Sequence, residues 1–222
     1  MTASRKLQLI AALLAPLAAG ACSQATTAEP GAGSPSPSPT NAEFEAIFRA
    51  RVDSARMRFT DADVHFMMGM IHHHAQAIEM SRLAPTHGAS RSIRILAARI
   101  INAQQDEIAT MQRWLRDRGQ TVPELHVSES GVMVHGADHA MHAPGMLTPD
   151  QIRQLDAARG TEFDRLFLTF MIQHHKGAVT MVRELFATDG AGQDEEVFKF
   201  ASDVQADQSS EVARMELMLS AM

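Results

Sequence analysis

The stretch FMMGMIHHHAQAIEM, residues 66–80, decides the fold because it occurs twice in the chain. Its second copy, FLTFMIQHHKGAVTM, occupies residues 167–181, so position 66 corresponds to position 167 with a shift of 101. Apolar residues recur at spacings of three and four in both copies, which is typical of a helix. Both copies retain two adjacent histidines between two methionines: Met70, His73, His74 and Met80 in the first, and Met171, His174, His175 and Met181 in the second.

Each copy is followed by a second repeated motif, Q-x-x-E-I/V-x-x-M. It begins at Gln104 in the first half and at Gln208 in the second, a shift of 104. The change from 101 to 104 is expected to reflect three extra residues in the second inter-helix turn. The repeated unit is therefore a pair of helices. Each pair has an apolar face that needs a partner, so the duplication predicts an all-α protein built as a four-helix bundle.

Polar residues and prolines predict where the helices begin. Thr60 and Thr161 obey the shift of 101 and are expected to cap the two helices that carry the histidines. Thr148 followed by Pro149 predicts the start of a shorter helix. No alternating pattern predicts a strand. The connecting segment, residues 120–147, is therefore expected to be a long loop rich in methionine and histidine, between repeat halves at about 42–119 and 148–222.

The N-terminus has the pattern of an export signal. Residues 1–21 combine a basic start, an apolar stretch and small residues, which predicts a signal peptide of the lipoprotein type. Cys22 follows at once and is expected to carry a lipid that holds the protein on a bacterial membrane, in the periplasm or at the cell surface. Secretion without a lipid is the alternative. Residues 22–41 are rich in serine and proline and predict a disordered tether, and residues 42–222 form the bundle domain.

Composition narrows the chemistry of that domain. The chain has 222 residues and a net charge of −6 with no basic stripe, which argues against nucleic-acid binding. Cys22 is the only cysteine, so an internal disulfide and a thiolate ligand are both excluded from the domain. Because the chain contains 15 methionines, any soft metal ligand is expected to be a thioether sulfur.

Helical geometry sorts the repeated residues by direction. At about 100° per residue, Met70, His73 and Met80 fall on one stripe, and His74 points to the adjoining sector. Such a polar stripe is costly to bury unless its members pair with one another or bind a ligand. The second motif supplies a matching polar network on the partner helices: Gln104, Glu107, Gln208 and Glu211. Two interpretations stay open, a metal site and a hydrogen-bonded network among core methionines.

The connecting segment supplies further histidine and methionine. Its stretch VMVHGADHAMHAPGM, residues 132–146, has little helical amphipathicity, so core packing does not explain its methionines. Imidazole and thioether without thiolate suit copper, especially Cu(I), whereas zinc gains little from the sulfurs. The segment is therefore a candidate second metal site, and a mobile linker of chance composition is the alternative. Its candidate ligands are His135, His139, Met141, His142 and Met146.

The repeated pattern F-M-x-x-M-I-x-H-H-x-x-A-I-x-M, followed by Q-x-x-E-I-x-x-M, resembles the bacterial domain-of-unknown-function family 305. The resemblance covers about residues 42–222. It implies an exported, ferritin-like four-helix bundle. It also implies a link to copper, because some members are associated with copper binding and copper tolerance in the periplasm. The second copy departs from the first at Leu168, Thr169 and Gln173, so two metal sites need not be equivalent.

Three functions compete at this point. The first is a copper-binding protein that sequesters copper or passes it on, with the repeated histidines and methionines as ligands. The second is a metal-free interaction module whose histidines and glutamates form a buried network. The third is a di-metal oxidase, which needs Glu-x-x-His on facing helices, and the repeated motifs lack that sequence. No set of nucleophile and base is recognised, so a binding protein rather than an enzyme is expected.

Overall fold

The structure is a computed structural model, and it describes residues 40–56, 58–128, 131–135 and 143–222. Contacts divide the chain between Thr40 and Asn41, and the fold is that of Asn41–Met222. The described residues are mainly helical, with one two-stranded sheet. The elements are α1 Asn41–Arg56, α2 Asp61–Arg82, α3 Arg91–Asp117, β1 Glu124–Ser128, β2 Gly131–His135, α4 Pro149–Ala157, α5 Gly160–Ala187 and α6 Glu195–Ser220.

The predicted export features precede this fold. The signal peptide at residues 1–21, the lipid on Cys22 and nearly all of the tether at residues 22–41 lie outside the described residues, so they stay predictions. Within the described ranges, none of the helices is both long and apolar enough to cross a membrane.

Local sequence sets the starts of α2 and α4 as expected. Thr60 Oγ1 accepts from the Asp63 N–H at 3.3 Å, and the Asp63 carboxylate accepts from the Thr60 N–H at 2.8 Å. This reciprocal pair is a capping box. Thr148 and Gln151 form the same box at the start of α4, with Pro149 in the first turn. The predicted starts at Thr60 and Thr148 are confirmed.

The predicted cap at Thr161 is wrong. α5 begins at Gly160 with Arg159 at the N-cap position, and no side chain of the described ranges caps the helix there. Gly160 has a φ of +59°, a conformation that favours glycine, and its N–H donates to the His87 carbonyl at 2.9 Å. The chain therefore turns into α5 before it reaches Thr161, and a backbone hydrogen bond to a distant turn replaces the threonine cap.

The prediction that residues 120–147 form a loop without strands is wrong in part. β1 and β2 pair antiparallel, with Leu125 opposite Val134 and Val127 opposite Val132. Leu125 and Val127 alternate with polar residues in β1, but β2 has three consecutive apolar residues, and each strand has only five residues, so the pattern is weak in the sequence. β2 lies against α2, which places the strand pair beside one of the histidine-bearing helices.

The four long helices pack as two hairpins that meet through α2 and α5. α2 packs on α3, α5 packs on α6, and α2 contacts α5. Asp63, at the start of α2, accepts from the Gly192 N–H beyond the end of α5 at 2.7 Å. Its repeat mate Asp164, near the start of α5, accepts from the Ser90 N–H beyond the end of α2 at 3.1 Å. α2 and α5 therefore run antiparallel, and each is joined to the turn of the other hairpin.

The change in repeat shift lies in a helix, not in a turn as expected. By the shift of 101, Arg82 at the end of α2 corresponds to residue 183, yet α5 continues to Ala187. The turn after α5 occupies residues 188–194 and the turn after α2 occupies residues 83–90, so the second turn is not the longer one. The insertion therefore adds about one helical turn to the end of α5.

Candidate metal centre

Four buried histidines meet where α2 and α5 contact each other. The ring centroids of His73 and His174 lie 3.8 Å apart, with 37° between the ring planes. The rings of His174 and His175 lie 6.2 Å apart. All four side chains are at most 1% exposed. Each repeat contributes two members to this histidine centre: His73 and His74 from α2, and His174 and His175 from α5.

Carboxylates hold two of the four imidazoles. His74 Nε2 lies 2.5 Å from Glu107 Oε2, and His175 Nε2 lies 2.8 Å from Glu211 Oε2. Because a carboxylate only accepts hydrogen bonds, Nε2 of each histidine carries the proton shared with the glutamate, and Nδ1 is the nitrogen that a neutral ring leaves for a ligand. Both Nδ1 atoms are buried and have no hydrogen-bond partner in the part of the chain that the structure describes. Metal-ligating histidines are commonly held in this way, with one ring nitrogen bonded to a carboxylate and the other available to the metal.

The other two histidines differ from each other. His73 Nε2 donates to the Pro144 carbonyl at 3.0 Å, and a carbonyl can only accept, so His73 Nδ1 also keeps its lone pair. His73 Nδ1 and both ring nitrogens of His174 have no hydrogen-bond partner among the described residues. A buried imidazole left without partners is costly, since each unpaired polar atom forgoes about 1–3 kcal/mol of hydration. Among the four histidines, His174 is therefore the one whose ring has the fewest hydrogen-bond partners in the described residues.

Burial keeps this pair of imidazoles neutral. Burial lowers the pKa of His73 to about 3, and the neighbouring His74 adds to the shift. Burial also lowers the pKa of His174 well below its usual value, with the imidazole of His73 as the next cause. The nearby His73 backbone opposes the shift at His174 without reaching hydrogen-bond geometry. Both rings are uncharged at neutral pH, which is the protonation state that a metal ligand needs.

Methionine sulfurs lie in the same core, in two groups related by the repeat. One cluster of buried side chains contains Met70, Met111 and Met181, and the other contains Met80, Met171 and Met215. The groups mix the two repeats because α2 and α5 are antiparallel. A Cβ added at Gly69 would lie 3.5 Å from the Met181 methyl, which places the end of one histidine-bearing helix beside the start of the other. The four predicted methionine ligands are all buried: Met70, Met80, Met171 and Met181.

The two glutamines of the predicted network are buried but incompletely paired. Gln104 and Gln208 are 2% and 3% exposed, and neither Oε1 has a hydrogen-bond partner within the described ranges. They precede Glu107 and Glu211 by one turn on α3 and α6. The structure therefore brings the glutamates to the histidine centre and leaves the glutamine oxygens without a partner.

The chemical types of the donors suit a soft metal ion, but their positions in this structure do not form a complete site. No three histidine, cysteine, aspartate or glutamate side chains of the described residues converge on a common metal position. The rings of His73 and His174, with centroids 3.8 Å apart and planes tilted by 37°, leave no room for an ion between them. Unpaired, neutral imidazole nitrogens together with thioether sulfur are nevertheless the ligands that suit copper. An ion lying between these two rings would require them to move apart.

The predicted second site in the connecting segment is only partly described. His139, Met141 and His142 lie outside the described residues, and His135 is described only as the last backbone position of β2. Met146 is half-buried. This site stays a prediction.

Three residues near the histidine centre are not predicted by the sequence patterns. Pro144 supplies the backbone carbonyl that binds His73. Gln76 binds the backbone of Leu147 through both ends of its amide, and Gly177 lies against Pro144. One sequence signal was available: Gln76 and Gly177 occupy the same repeat position, yet they differ sharply in size and polarity.

The family of the chain follows from its sequence. Residues 63–219 match the family described as a domain of unknown function, DUF305, and the chain belongs to this family. The resemblance noted in the repeated motifs is thereby confirmed. No curated protein matches the chain.

Solved structures share the fold. A DUF305 fragment from Deinococcus radiodurans is 26% identical with a TM-score of 0.61, and the match covers 74% of this chain and 99% of that one. A presumed secreted DUF305 protein from Streptomyces coelicolor is 25% identical with a TM-score of 0.60, covering 72% and 93%. CopM in its Cu(I)-bound form is 27% identical with a TM-score of 0.53, covering 72% and 96%. CopM has also been solved in Cu(II)-bound, silver-bound and apo forms, so one similar protein holds copper.

Proposed function

We propose that the protein binds copper at the histidine centre and serves to sequester it or pass it on. The observation that carries the proposal is the pair of carboxylate-held imidazoles, His74 on Glu107 and His175 on Glu211, each with a buried Nδ1 that has no hydrogen-bond partner among the described residues. A purely structural network has no reason to leave these nitrogens unpaired. The copper-bound forms of CopM support the same assignment.

The residues divide into ligands and residues that hold them. The Nδ1 atoms of His73, His74 and His175 keep lone pairs for the metal, and His174 offers either nitrogen. Glu107 and Glu211 fix ring orientation and tautomer, which is the usual task of residues around a metal ligand. The buried sulfurs supply the soft donors that favour Cu(I) over zinc: Met70, Met80, Met171 and Met181.

Further parts of the proposal rest on sequence and fold. The two packed helical hairpins support assignment to the ferritin-like four-helix bundles. The N-terminal pattern supports export and a lipid on Cys22, by which the bundle would be held on a membrane in the periplasm or at the cell surface. The protein would act as a binding protein rather than an enzyme. The segment that includes His135, His139, Met141, His142 and Met146 would be a weaker second site.

A competition titration tests the proposal. The purified protein is titrated with Cu(I) without oxygen against a chromophoric chelator such as bathocuproine disulfonate. We expect stoichiometric uptake that weakens when His73 and His174 are replaced by Ala. His87→Ala is the matched control, because His87 is also buried but binds Asp156 outside the centre. Failure of the wild-type protein to compete would contradict the proposal.

The same titration separates the alternatives. Unchanged uptake in the variant lacking His73 and His174, with loss after His135, His139 and His142 are replaced by Ala, would move the site to the connecting segment. A metal-free interaction module predicts that chelators alter neither the melting temperature nor the helix content. A di-metal oxidase predicts oxygen consumption by the iron-loaded protein.

A further inference from the structure

Residues 143–147 form a strap that lies between α2 and α5 at the histidine centre. Its Leu147 N–H donates to Gln76 Oε1 at 2.8 Å, and Gln76 Nε2 donates to the Leu147 carbonyl at 3.1 Å. The Gln76 amide therefore clamps one end of the strap to α2 through two hydrogen bonds. At the other end, Pro144 presents its carbonyl to His73 Nε2 at 3.0 Å.

Gly177 makes room for the strap on α5. A Cβ at this position would lie 2.0 Å from the Pro144 oxygen and 2.6 Å from the Gly145 Cα, distances that no side chain tolerates. Gly145 is equally constrained, since its φ is +78° and a Cβ there would lie 2.6 Å from the Gln173 carbonyl oxygen. The strap is thus seated backbone to backbone on α5, and any side chain at Gly177 displaces the Pro144 carbonyl.

The two residues that seat the strap are repeat mates. Gln76 plus the shift of 101 is Gly177, so one copy of the position clamps the strap and the other copy makes space for it. Exchanging the two would remove both functions, so the strap fits the bundle in one orientation. The strap therefore breaks the symmetry of the histidine centre: His73 has a backbone partner, and its mate His174 has none among the described residues.

We propose that Gln76 and Gly177 are positioning residues that seat the Pro144 carbonyl so that His73 is held as the Nε2–H tautomer, with Nδ1 free for the metal. His73 would then be the preset ligand of its pair, whereas no hydrogen bond from the described residues fixes the tautomer of His174. This inference rests on the proposed function for its metal, but the tautomer of His73 is a property of the metal-free protein. The strap acts through His73 and needs no contact with the ion.

Gly177→Ala is the first test, with Gly69→Ala as its matched control. Both glycines are inside histidine-bearing helices, but a Cβ at Gly69 makes only an ordinary contact at 3.5 Å. Nitrogen-15 NMR of the metal-free protein reports the His73 tautomer, and Cu(I) titration against bathocuproine disulfonate reports affinity. We expect Gly177→Ala to lose the uniform Nε2–H form and to bind Cu(I) about 10- to 100-fold more weakly. Gly69→Ala is expected to match the wild type in both.

Gln76→Ala supplies a milder second test, and it decides the question if Gly177→Ala does not fold. Gln112→Ala is its control, because Gln112 Nε2 also donates to a backbone carbonyl, that of Pro123, away from the centre. Loss of the His73 tautomer in Gln76→Ala but not in Gln112→Ala supports the proposal. A wild-type protein that binds Cu(I), with unchanged tautomer and affinity in folded Gly177→Ala or Gln76→Ala, overturns it. If the wild type does not bind Cu(I) but the variants show the expected tautomer changes, only the proposed function is overturned.

Discussion

An imidazole can serve as a metal ligand only through a nitrogen that carries no proton, so the partner of the opposite nitrogen decides which atom is available. Glu107, Glu211 and the Pro144 carbonyl are all acceptors, and each therefore places a proton on Nε2 of its histidine. The glutamates could be predicted from the sequence, because the repeat conserves them beside the histidines. The Pro144 carbonyl could not be predicted, because every residue has a backbone carbonyl and the residue type does not show which one will act as the acceptor.

The buried histidines make the stability of the metal-free protein depend on pH. The pKa of His73 is about 3 in the folded protein, and that of His174 is also well below 6.5, the value expected when unfolded. Between these values the unfolded chain binds more protons, so the free energy of unfolding falls as the pH falls below about 6.5. We expect melting temperatures, followed by circular dichroism from pH 7 to 5, to fall less in the His73→Gln, His174→Gln double variant. His65→Gln, at an exposed position, is the control, and an equal fall in all three proteins would contradict the account.

Glu107 and Glu211 should affect Cu(I) affinity by orienting the rings of His74 and His175. In the Glu107→Gln, Glu211→Gln double variant, each amide can present either its oxygen or its NH2 group to Nε2, so the tautomer with an unprotonated Nδ1 is no longer enforced. We expect Cu(I) affinity to fall about 10- to 100-fold with the helix content unchanged. Glu216→Gln is the matched control on α6, since Glu216 pairs with the exposed Lys176 rather than with a histidine of the centre. Equal affinity in all three proteins would show that the glutamates do not hold ligands.

At the scale of elements, the antiparallel packing of α2 on α5 is what brings the two repeats to one centre. Asp63 and Asp164 are repeat mates, and each binds the turn of the opposite hairpin. Helix pairs and most helix starts could be predicted, because caps and periodicity are local signals. The start of α5 could not, because the bond from Gly160 to the His87 carbonyl joins residues distant in sequence.

Replacing Asp164 by Ala should loosen the two hairpins. The Ser90 N–H then loses its carboxylate acceptor, at an expected cost of about 1–3 kcal/mol in the free energy of unfolding. Urea unfolding followed by circular dichroism measures this change. Asp61→Ala, at an exposed position in the first turn of α2, should change stability by less than about 0.5 kcal/mol. Equal stability of the two variants would mean that this carboxylate does not join the hairpins.

At the scale of the whole molecule, a ligand that binds only the folded protein must stabilise it. Free Cu(I) at 100 times its dissociation constant should add about 2.7 kcal/mol to the free energy of unfolding. For a domain of this size we expect a rise of roughly 5–10 °C in the melting temperature. The His74→Ala, His175→Ala double variant should show little of this rise, and Zn²⁺ should produce less of it in the wild type. A rise of the same size in the double variant would place the metal elsewhere.

The helical framework of the molecule could be predicted because each local signal occurs in both repeats. The asymmetry of the histidine centre could not be predicted from the sequence. This asymmetry arises from the strap, which reaches the centre only through tertiary packing. The short strand pair before the strap was missed for a related reason, since five-residue strands carry little periodic signal.

The most direct test of the account is X-ray absorption spectroscopy of the Cu(I)-loaded protein at the copper edge. If the histidine centre holds the copper, the spectrum contains scattering from imidazole rings together with sulfur, and the imidazole part is much reduced in the His74→Ala, His175→Ala double variant. Copper bound without imidazole, or an unchanged spectrum in that variant, would contradict the claim that the histidine centre holds the metal.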